Sequence, residues 1–486
     1  MASSETVVAV QRDSEEHATL RRVAVSSFLG NFIEWFDYAS YSYFATVIAL
    51  VLMPPGDPTV ALLETFGVFA LSFLMRPVGA FFWGHMGDKK GRKWALATSI
   101  LMMSAATFVI GLLPTFEAVG ILAPILLLCL RMVQSFSASG EYAGAATFLA
   151  EYAPSNHRGL YCSLVPASTA TGLLIGSALA TFMFMTWGHD SSFVTEWGWR
   201  IPFLLAGPLG LITHYIRTRV SDSPVYQEMQ EKLEAKGESD DKPIKLLLTK
   251  HLRPLLVSFG ACMLNAVGFY AVLTYLPNYL QDTVGYDAGS SSLITTICLV
   301  AYIAFIFLSG RISDKVGRKK MLIIACVGFI VFTVPAFYLL NSQNFAIILI
   351  VELVMCLLLT INDGTLSSYL SETFPTEVRY SGFALSFNFA NAIFGGSASF
   401  ISIALIEATG NAIAPAWYMV AISVVAFIAM CMTHDNSKKK LTEIQWSGSD
   451  NFCGSRAIGE GRLAAACLCT CTMKRNFDGT PNISRK

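Results

Sequence analysis

Gly84-His-Met-Gly-Asp88-Lys-Lys-Gly91-Arg92-Lys93 returns later in the chain as Gly310-Arg-Ile-Ser-Asp314-Lys-Val-Gly317-Arg318-Lys319, displaced by 226 residues at every matched position. Each copy follows one apolar run and precedes the next. A second pair of matches, Glu151-x-x-Pro154-x-x-x-Arg158 and Glu372-x-x-Pro375-x-x-x-Arg379, follows two runs later in each case. Two independent matches at equivalent loops indicate an internal duplication. The polar stretch 217–254 divides the chain, with six apolar runs on either side.

Crossing a membrane takes about 20 mostly apolar residues. The runs at 23–51, 60–84, 94–113, 119–149, 160–187 and 199–219, then 255–280, 289–309, 321–340, 344–370, 382–406 and 414–433, meet that length. Of the 486 residues 54% are hydrophobic and 14% charged, against about 25% charged in a soluble domain. The predicted fold class is an all-α integral membrane protein, twelve transmembrane helices in two six-helix pseudo-repeats. Parallel six-helix halves build one large class of secondary transporters. The expected organisation is an N-terminal segment 1–22, a six-helix bundle 23–219, a central loop 220–254, a second bundle 255–433 and a disordered tail 434–486.

Charge sets the orientation. Asp13, Glu15, Glu16, Arg21 and Arg22 precede a first run that is too long, and too acidic, for a cleavable signal, so it reads as a retained helix. With a cytoplasmic N-terminus, 31 of the 34 Lys and Arg fall in cytoplasmic segments or at the cytoplasmic ends of spans, and the other three, Arg76, Arg131 and Arg200, lie deeper in spans or at an outer edge. That bias predicts a multi-pass cell-membrane protein with both termini in the cytoplasm. Basic and acidic residues both total 34, which gives nucleic-acid binding no electrostatic support. Seven of eleven cysteines sit in apolar runs, and the spacing of Cys467, Cys469 and Cys471 suits no common zinc site. No metal, cofactor or enzyme motif is expected, and no filter segment or charge ring suggests a channel.

The motif G-x-x-x-D-x-x-G-R-[KR] between spans 2 and 3, with its weaker copy between spans 8 and 9, resembles the signature of the major facilitator superfamily. Gly30-Asn31-Phe-Ile-Glu34-Trp-Phe-Asp37-Tyr38, Phe73-Leu-Met-Arg76-Pro77, Ala123-Pro124-Ile-Leu-Leu-Leu, Gly140-Glu141-Tyr and Trp197-Gly-Trp-Arg200-Ile-Pro-Phe are similar to the metabolite:H⁺ symporter family over about residues 20–435. Members carry proline and betaine, 2-oxoglutarate, citrate, shikimate or related acids with protons. Leu273-Thr-Tyr-Leu-Pro277-Asn-Tyr279-Leu and Phe374-Pro375-Thr-Glu-Val-Arg379-Tyr380 most resemble the proline/betaine members, whereas Asn391-Ala-Ile-Phe-Gly395-Gly396-Ser is closer to the 2-oxoglutarate members. Arg131-Met-Val-Gln134-Ser135 departs from the family's R-x-x-Q-G, with serine at a close-packing position.

The physical reading of the repeated motif is a latch. Asp88 is expected near the positive end of a neighbouring helix and beside arginines, holding the halves together in the outward-open state. Gly84, Asp88, Gly91 and Arg92, with Asp314, Gly317 and Arg318, form the candidate set.

Ionisable groups inside the bilayer are functional candidates by default. Glu34 lies about 16 Å into span 1 and Arg131 about 18 Å into the antiparallel span 4, so both reach the middle of the slab. Asp37 follows one turn beyond Glu34. The expected mechanism is a charge swap: Glu34 or Asp37 takes a proton from outside, Arg131 leaves its ion pair, and the arginine holds the substrate carboxylate. Proton-coupled sugar members of the superfamily resemble this, and Asp37 matches their span 1 aspartate best. A structural ion pair that never titrates is the alternative. Glu141 either relays the proton inward or pairs with Arg76, while Glu352 and Asp363 in span 10 read as interface groups.

Span interiors hold five carboxylates against Arg76 and Arg131, which favours a zwitterion over a dianion. Candidate substrate contacts are Asn31, Tyr38, Tyr41, Arg131, Tyr270 and Tyr275, the aromatic rings offering cation–π contacts to an ammonium. The expected function is proton-coupled import of a small compatible solute such as proline or glycine betaine by alternating access. A proton symporter of 2-oxoglutarate or citrate, or an uncoupled facilitator, stands as the alternative. Partners are the solute, H⁺ and membrane lipid, with a monomer as the expected functional unit.

Overall fold

A computed structural model describes residues 4–188, 191–236 and 243–444. Met1–Trp446 forms one compact unit; the other, Ser447–Lys486, with Cys467, Cys469 and Cys471, lies outside the described residues. Among the described residues, twelve long helices make the fold. The first six are α1 (Ser4–Tyr43, resuming as Ala45–Leu52), α2 (Val60–Lys89), α3 (Arg92–Gly111), α4 (Leu122–Tyr152), α5 (Arg158–Trp187) and α6 (Arg200–Thr218). Short surface helices Pro224–Lys236 and Pro243–Lys250 lead to α7 (Leu252–Thr283), α8 (Ala288–Val316), α9 (Arg318–Leu340), α10 (Phe345–Ser371), α11 (Thr376–Thr409) and α12 (Ala414–Cys431). Among the described residues ten helical runs are long and apolar enough to cross a membrane. The other two long helices are α1, carrying Glu34 and Asp37, and α6, carrying Arg200 and Arg217.

Leu50, Leu74, Val331 and Phe400 are all more than half exposed on the outer faces, a surface stable only in an apolar solvent. Inside, small residues let backbones approach, as expected where lipid removes the hydrophobic drive between helices. A Cβ on Gly172 of α5 would stand 2.8 Å from the Phe32 carbonyl oxygen of α1. Asn31 Nδ2 fastens the same contact, donating to the Val165 carbonyl, Ser168 Oγ and Thr169 Oγ1 of α5 at 2.8–2.9 Å. Across the seam between the first six helices and the last six, α2 packs on α11 and α8 on α5.

Proline shapes two helices. α2 breaks its regular turn at 73–74, four residues before Pro77, which has no N–H to bond back. α7 widens into π turns at Ala271–Tyr275 and Tyr279–Thr283 around Pro277, and α11 does so at Asn391–Gly395.

Both chain ends differ from the expected boundaries. Residues 4–22 are continuous with α1, which starts at Ser4. Residues 434–444 are ordered rather than part of a disordered tail: Arg379 donates to the Leu441 carbonyl at 2.9 Å, Asn436 to the Glu372 carbonyl at 3.1 Å, and Leu441 and Ile444 are buried. Backbone oxygens that satisfy a buried arginine fix this strand of chain in place.

Candidate transport site

α1 turns about 100° per residue, so Glu34 and Asp37, three apart, point to different neighbours. Glu34 faces α2, where Arg76 Nη2 donates to its Oε1 at 2.7 Å and to the Tyr38 hydroxyl oxygen at 2.8 Å. Asp37 faces α4, where Arg131 Nη1 donates to its Oδ2 at 2.6 Å. All four charged side chains are at most 3% exposed. The sequence reading sets Glu34 opposite Arg131 by depth; the structure gives it Arg76, because depth leaves the angle around the helix open.

Arg131 is held from three sides. Its guanidinium carbon lies 3.7 Å from the centre of the Tyr41 ring, and Nη1 also donates to Gln134 Oε1 at 2.8 Å. Tyr41 is fixed by donating to the Thr65 carbonyl at 2.8 Å. Nε and Nη2 of Arg131, and Oδ1 of Asp37, have no protein partner. The Ser135 departure is accommodated: Ser135 Oγ donates to Ser72 Oγ of α2 at 3.1 Å.

Glu141 pairs with Arg217 of α6, not with Arg76. Arg217 Nη1 donates to its Oε2 at 2.8 Å and Nη2 to its Oε1, a two-pronged contact between fully buried groups. Arg217 is a third interior cation, which the sequence reading leaves in the polar stretch 217–254 although its own sixth run reaches residue 219. Arg217 also bonds the Leu96 and Ser26 carbonyls.

Aromatic rings meet across the seam. Trp35 of α1 stands edge-on to Phe269 of α7 at 5.1 Å and near Tyr270 at 6.4 Å. Tyr142 of α4 stacks on Phe387 of α11 at 4.2 Å and shares a hydrogen bond with Ser367 of α10 at 3.2 Å. Of the candidate substrate residues, Tyr38 and Tyr270 line this seam with Trp35, and the Tyr270 hydroxyl has no partner. Tyr275 stacks towards Tyr279 along its own helix at 6.1 Å, and Asn31 and Tyr41 are committed as described. Two carboxylates of α10 are buried, not at an interface. Asp363 accepts from Tyr302 at 2.6 Å, Asn265 at 2.7 Å and Asn362 at 3.0 Å; Glu352 has the Cys298 thiol at 3.7 Å.

At one end of the bundle the repeated motifs tie the two sets of helices together in mirrored fashion. Asp88 accepts from the Tyr380 and Ser381 backbone N–H groups at 3.1 and 2.8 Å, at the start of the helix Arg379–Ala390, with Arg92 at 3.2 Å. Asp314 accepts from the Gly159 and Leu160 N–H groups at 2.7 and 3.1 Å, at the start of α5, with Arg318 at 2.8 Å. Carboxylate at a helix N-terminus is favoured by free N–H groups and helix dipole together. Glu151 joins Arg92 (3.3 Å) and Arg379 (2.7 Å), and Glu372 joins Arg318 (3.1 Å) and Arg158 (2.8 Å). The second repeated motif thus belongs to the same cluster.

Backbone constraints complete it. A Cβ on Gly84 would lie 2.8 Å from Ser381 Cα, and Gly91 and Gly317 adopt φ of +98° and +100°, a region that favours glycine. Two more aspartates, invisible as a repeat, close the next turn: Asp222 accepts from the Arg92 N–H at 3.1 Å and Asp435 from the Lys319 N–H at 3.3 Å. Burial lifts the Asp222 carboxyl above its ordinary range even beside Arg92, so this cap discharges at a higher pH than a free aspartate.

Residues 27–399 match the family model of the Major Facilitator Superfamily, with a second match over 259–473. The chain is 34% identical over 446 residues to the proline/betaine transporter of Salmonella typhimurium, covering 91% of this chain and 89% of that one. It is 34% identical over 436 residues to a glycine betaine/proline/ectoine/pipecolic acid transporter of Dickeya dadantii, covering 89% and 86%. Among solved structures, the proton:xylose symporter XylE bound to 6-bromo-6-deoxy-D-glucose superposes with a TM-score of 0.73 at 17% identity, over 88% of this chain and 98% of that one. The fold, the duplicated motif and these relatives agree: the chain is a multi-pass membrane transporter, not an enzyme, and belongs to the major facilitator superfamily, where it is most like the proline/betaine transporters.

Proposed function

We propose that this transporter is a proton-coupled symporter that imports a small zwitterionic solute of the proline and glycine betaine class. The observation that carries the reading is the Asp37–Arg131 pair: a sealed ion pair whose arginine keeps Nε and Nη2 unpartnered and whose aspartate keeps Oδ1 unpartnered. Protonation of Asp37 removes the charge that holds Arg131, and the guanidinium, already positioned by Tyr41 and Gln134, turns to a substrate carboxylate. Glu34 and Arg76 form a second pair of the same kind one turn away, so Glu34 remains the other candidate carrier. Glu141 is a poorer relay than its sequence position suggests, because Arg217 engages both its oxygens.

The same engagement preserves the charge argument for a zwitterion. Arg217 is a third interior cation, but it is not available to a second substrate carboxylate. The names of the relatives support the same solute class. In this reading the duplicated motifs serve as the latch of the closed end, and the basic-residue bias supports a cytoplasmic side for that end and both termini, in the cell membrane. One chain contains both halves of the latch and of the seam, so the monomer is the functional unit.

Uptake of radiolabelled proline and betaine, set against 2-oxoglutarate and citrate, in transport-deficient cells with and without a protonophore tests the proposal. Proline or betaine uptake abolished by the protonophore, and lost in Asp37→Asn, is the expected result. Uptake of the carboxylates alone overturns the solute class. Uptake indifferent to the protonophore overturns the coupling and leaves a facilitator.

A further inference from the structure

The last six helices carry a buried carboxylate that the charge swap does not use. Asp363 of α10 is 1% exposed, and no Lys or Arg among the described residues forms an ion pair with it. A carboxylate offers about four acceptor positions. Asn265 and Asn362 fill two on Oδ1, and Tyr302 fills one on Oδ2. All three donors are neutral, so the charge is solvated but not balanced. An intramembrane acid without a cation calls for a partner.

Its place in the fold says where that partner comes from. Ser367, one turn along α10 on the same face, is hydrogen-bonded to Tyr142 of α4 across the seam. Tyr302 stands edge-on to Phe269 at 6.5 Å, and Phe269 in turn meets Trp35 of α1. Asp363 therefore lies between two cross-seam contacts, with Tyr302 bonded to it and Phe269 against the Tyr302 ring. The interior arginines Arg76 and Arg131 are both on the opposite side of the seam. An anion flanked by aromatic rings is the chemistry that selects an ammonium, quaternary or protonated.

We infer that Asp363, held by Tyr302, Asn265 and Asn362, recognises the ammonium group of the transported solute, while the arginines of the first six helices take its carboxylate. The inference rests on the zwitterion reading above and adds the group that makes the site selective for one. Glu352, the other buried acid of α10, is a weaker candidate: it lies 11 residues from Asp363, about 16 Å along the helix, with a thiol as its neighbour.

The test compares glycine betaine with 3,3-dimethylbutyrate, its isostere with carbon in place of the quaternary nitrogen. Radiolabelled betaine uptake gives KM and kcat, and competition gives Ki for the isostere. The wild-type protein is expected to prefer betaine by about tenfold or more, the factor that about 1.4 kcal/mol of differential binding produces. In Asp363→Asn the KM for betaine should rise towards the Ki of the isostere, the rings supplying what preference remains, and Asp363→Glu should restore part of the loss. An Asp363→Asn protein that keeps the wild-type preference overturns the inference, whether or not it loses protonophore sensitivity; loss of that sensitivity alone makes Asp363 a proton site. A wild-type protein that does not distinguish the two compounds overturns it without any variant, so a misfolded mutant cannot shelter it. Wild-type protein that carries neither betaine nor proline overturns the functional reading itself, and this inference with it.

Discussion

Replacing Asp88 by asparagine should open the motif end, and the structure sets the size of the effect. The Arg92 contact lies within the same set of helices and persists on opening, so it cancels. Only the bonds to the Tyr380 and Ser381 N–H groups cross the seam. Bonds to a charged acceptor contribute about 1.5–3 kcal/mol each, and a charge at a helix end about 0.3–1 kcal/mol more. Asparagine keeps one acceptor oxygen, so the net loss is about 2–4 kcal/mol, a shift of about 30- to 900-fold in the closed-to-open ratio. Spin labels at the exposed positions Lys90 and Lys315 report the separation of the two motif loops by double electron–electron resonance. Asp314→Asn should give a shift of the same size, because Asp314 bonds the Gly159 and Leu160 N–H groups in the same way. The two sites share no partner, so the double variant should add. A distance distribution unchanged in Asp88→Asn refutes the latch; one that shifts in Asp88→Asn but not in Asp314→Asn refutes its symmetry.

Two further outcomes follow from the buried pairs. Asp37→Leu leaves Arg131 buried and unpaired, which costs about 3–5 kcal/mol, whereas Asp37→Leu with Arg131→Met should recover most of it; thermal unfolding in detergent measures both, and simple additivity of the two single losses would sink the assignment. Arg217→Lys keeps the charge but loses the two-pronged geometry towards Glu141, so the same assay should show a loss of about 1.5–3 kcal/mol, and a melting temperature equal to wild type would mean the contact is not what holds α4 to α6.

The spans, the motif and its copy were legible because each is local: about 20 apolar residues or ten motif residues carry the whole signal. The partners of the interior charges were not. Sequence spacing yields depth along a helix, while pairing depends on which neighbour each face meets. Glu34 and Asp37 illustrate this, lying 60° apart around α1 and taking arginines from different helices. Arg217 was hidden for a different reason: it stands two residues from the end of an apolar run, where a basic residue ordinarily reaches water, and only the packing of α6 against α3 and α1 turns it inward. Asp222 and Asp435 escaped because their flanking residues differ, Ser-Asp-Ser in one case and His-Asp-Asn in the other. Backbone N–H groups, not side-chain identities, are what the two aspartates share.

The duplication has held at the motif end and lapsed in the interior. The shift of 221 residues that takes Glu151 to Glu372 takes Arg131 to Glu352 and Tyr142 to Asp363, and the shift of 226 that takes Asp88 to Asp314 takes Arg76 to Tyr302. Every charge of the latch therefore has its counterpart, whereas neither Arg76 nor Arg131 does. The physical consequence is a division of labour. The motif end shares its cross-seam bonds between two equivalent contacts, one through Asp88 and one through Asp314. An asymmetric interior puts its arginines on one side of the seam and its uncompensated carboxylates on the other. In a low-dielectric seam such a field favours a dipolar solute in one orientation and penalises the reverse. A symmetric interior, with an arginine on each side, would instead suit a dicarboxylate, so selectivity for a zwitterion requires that the halves differ where they face the solute.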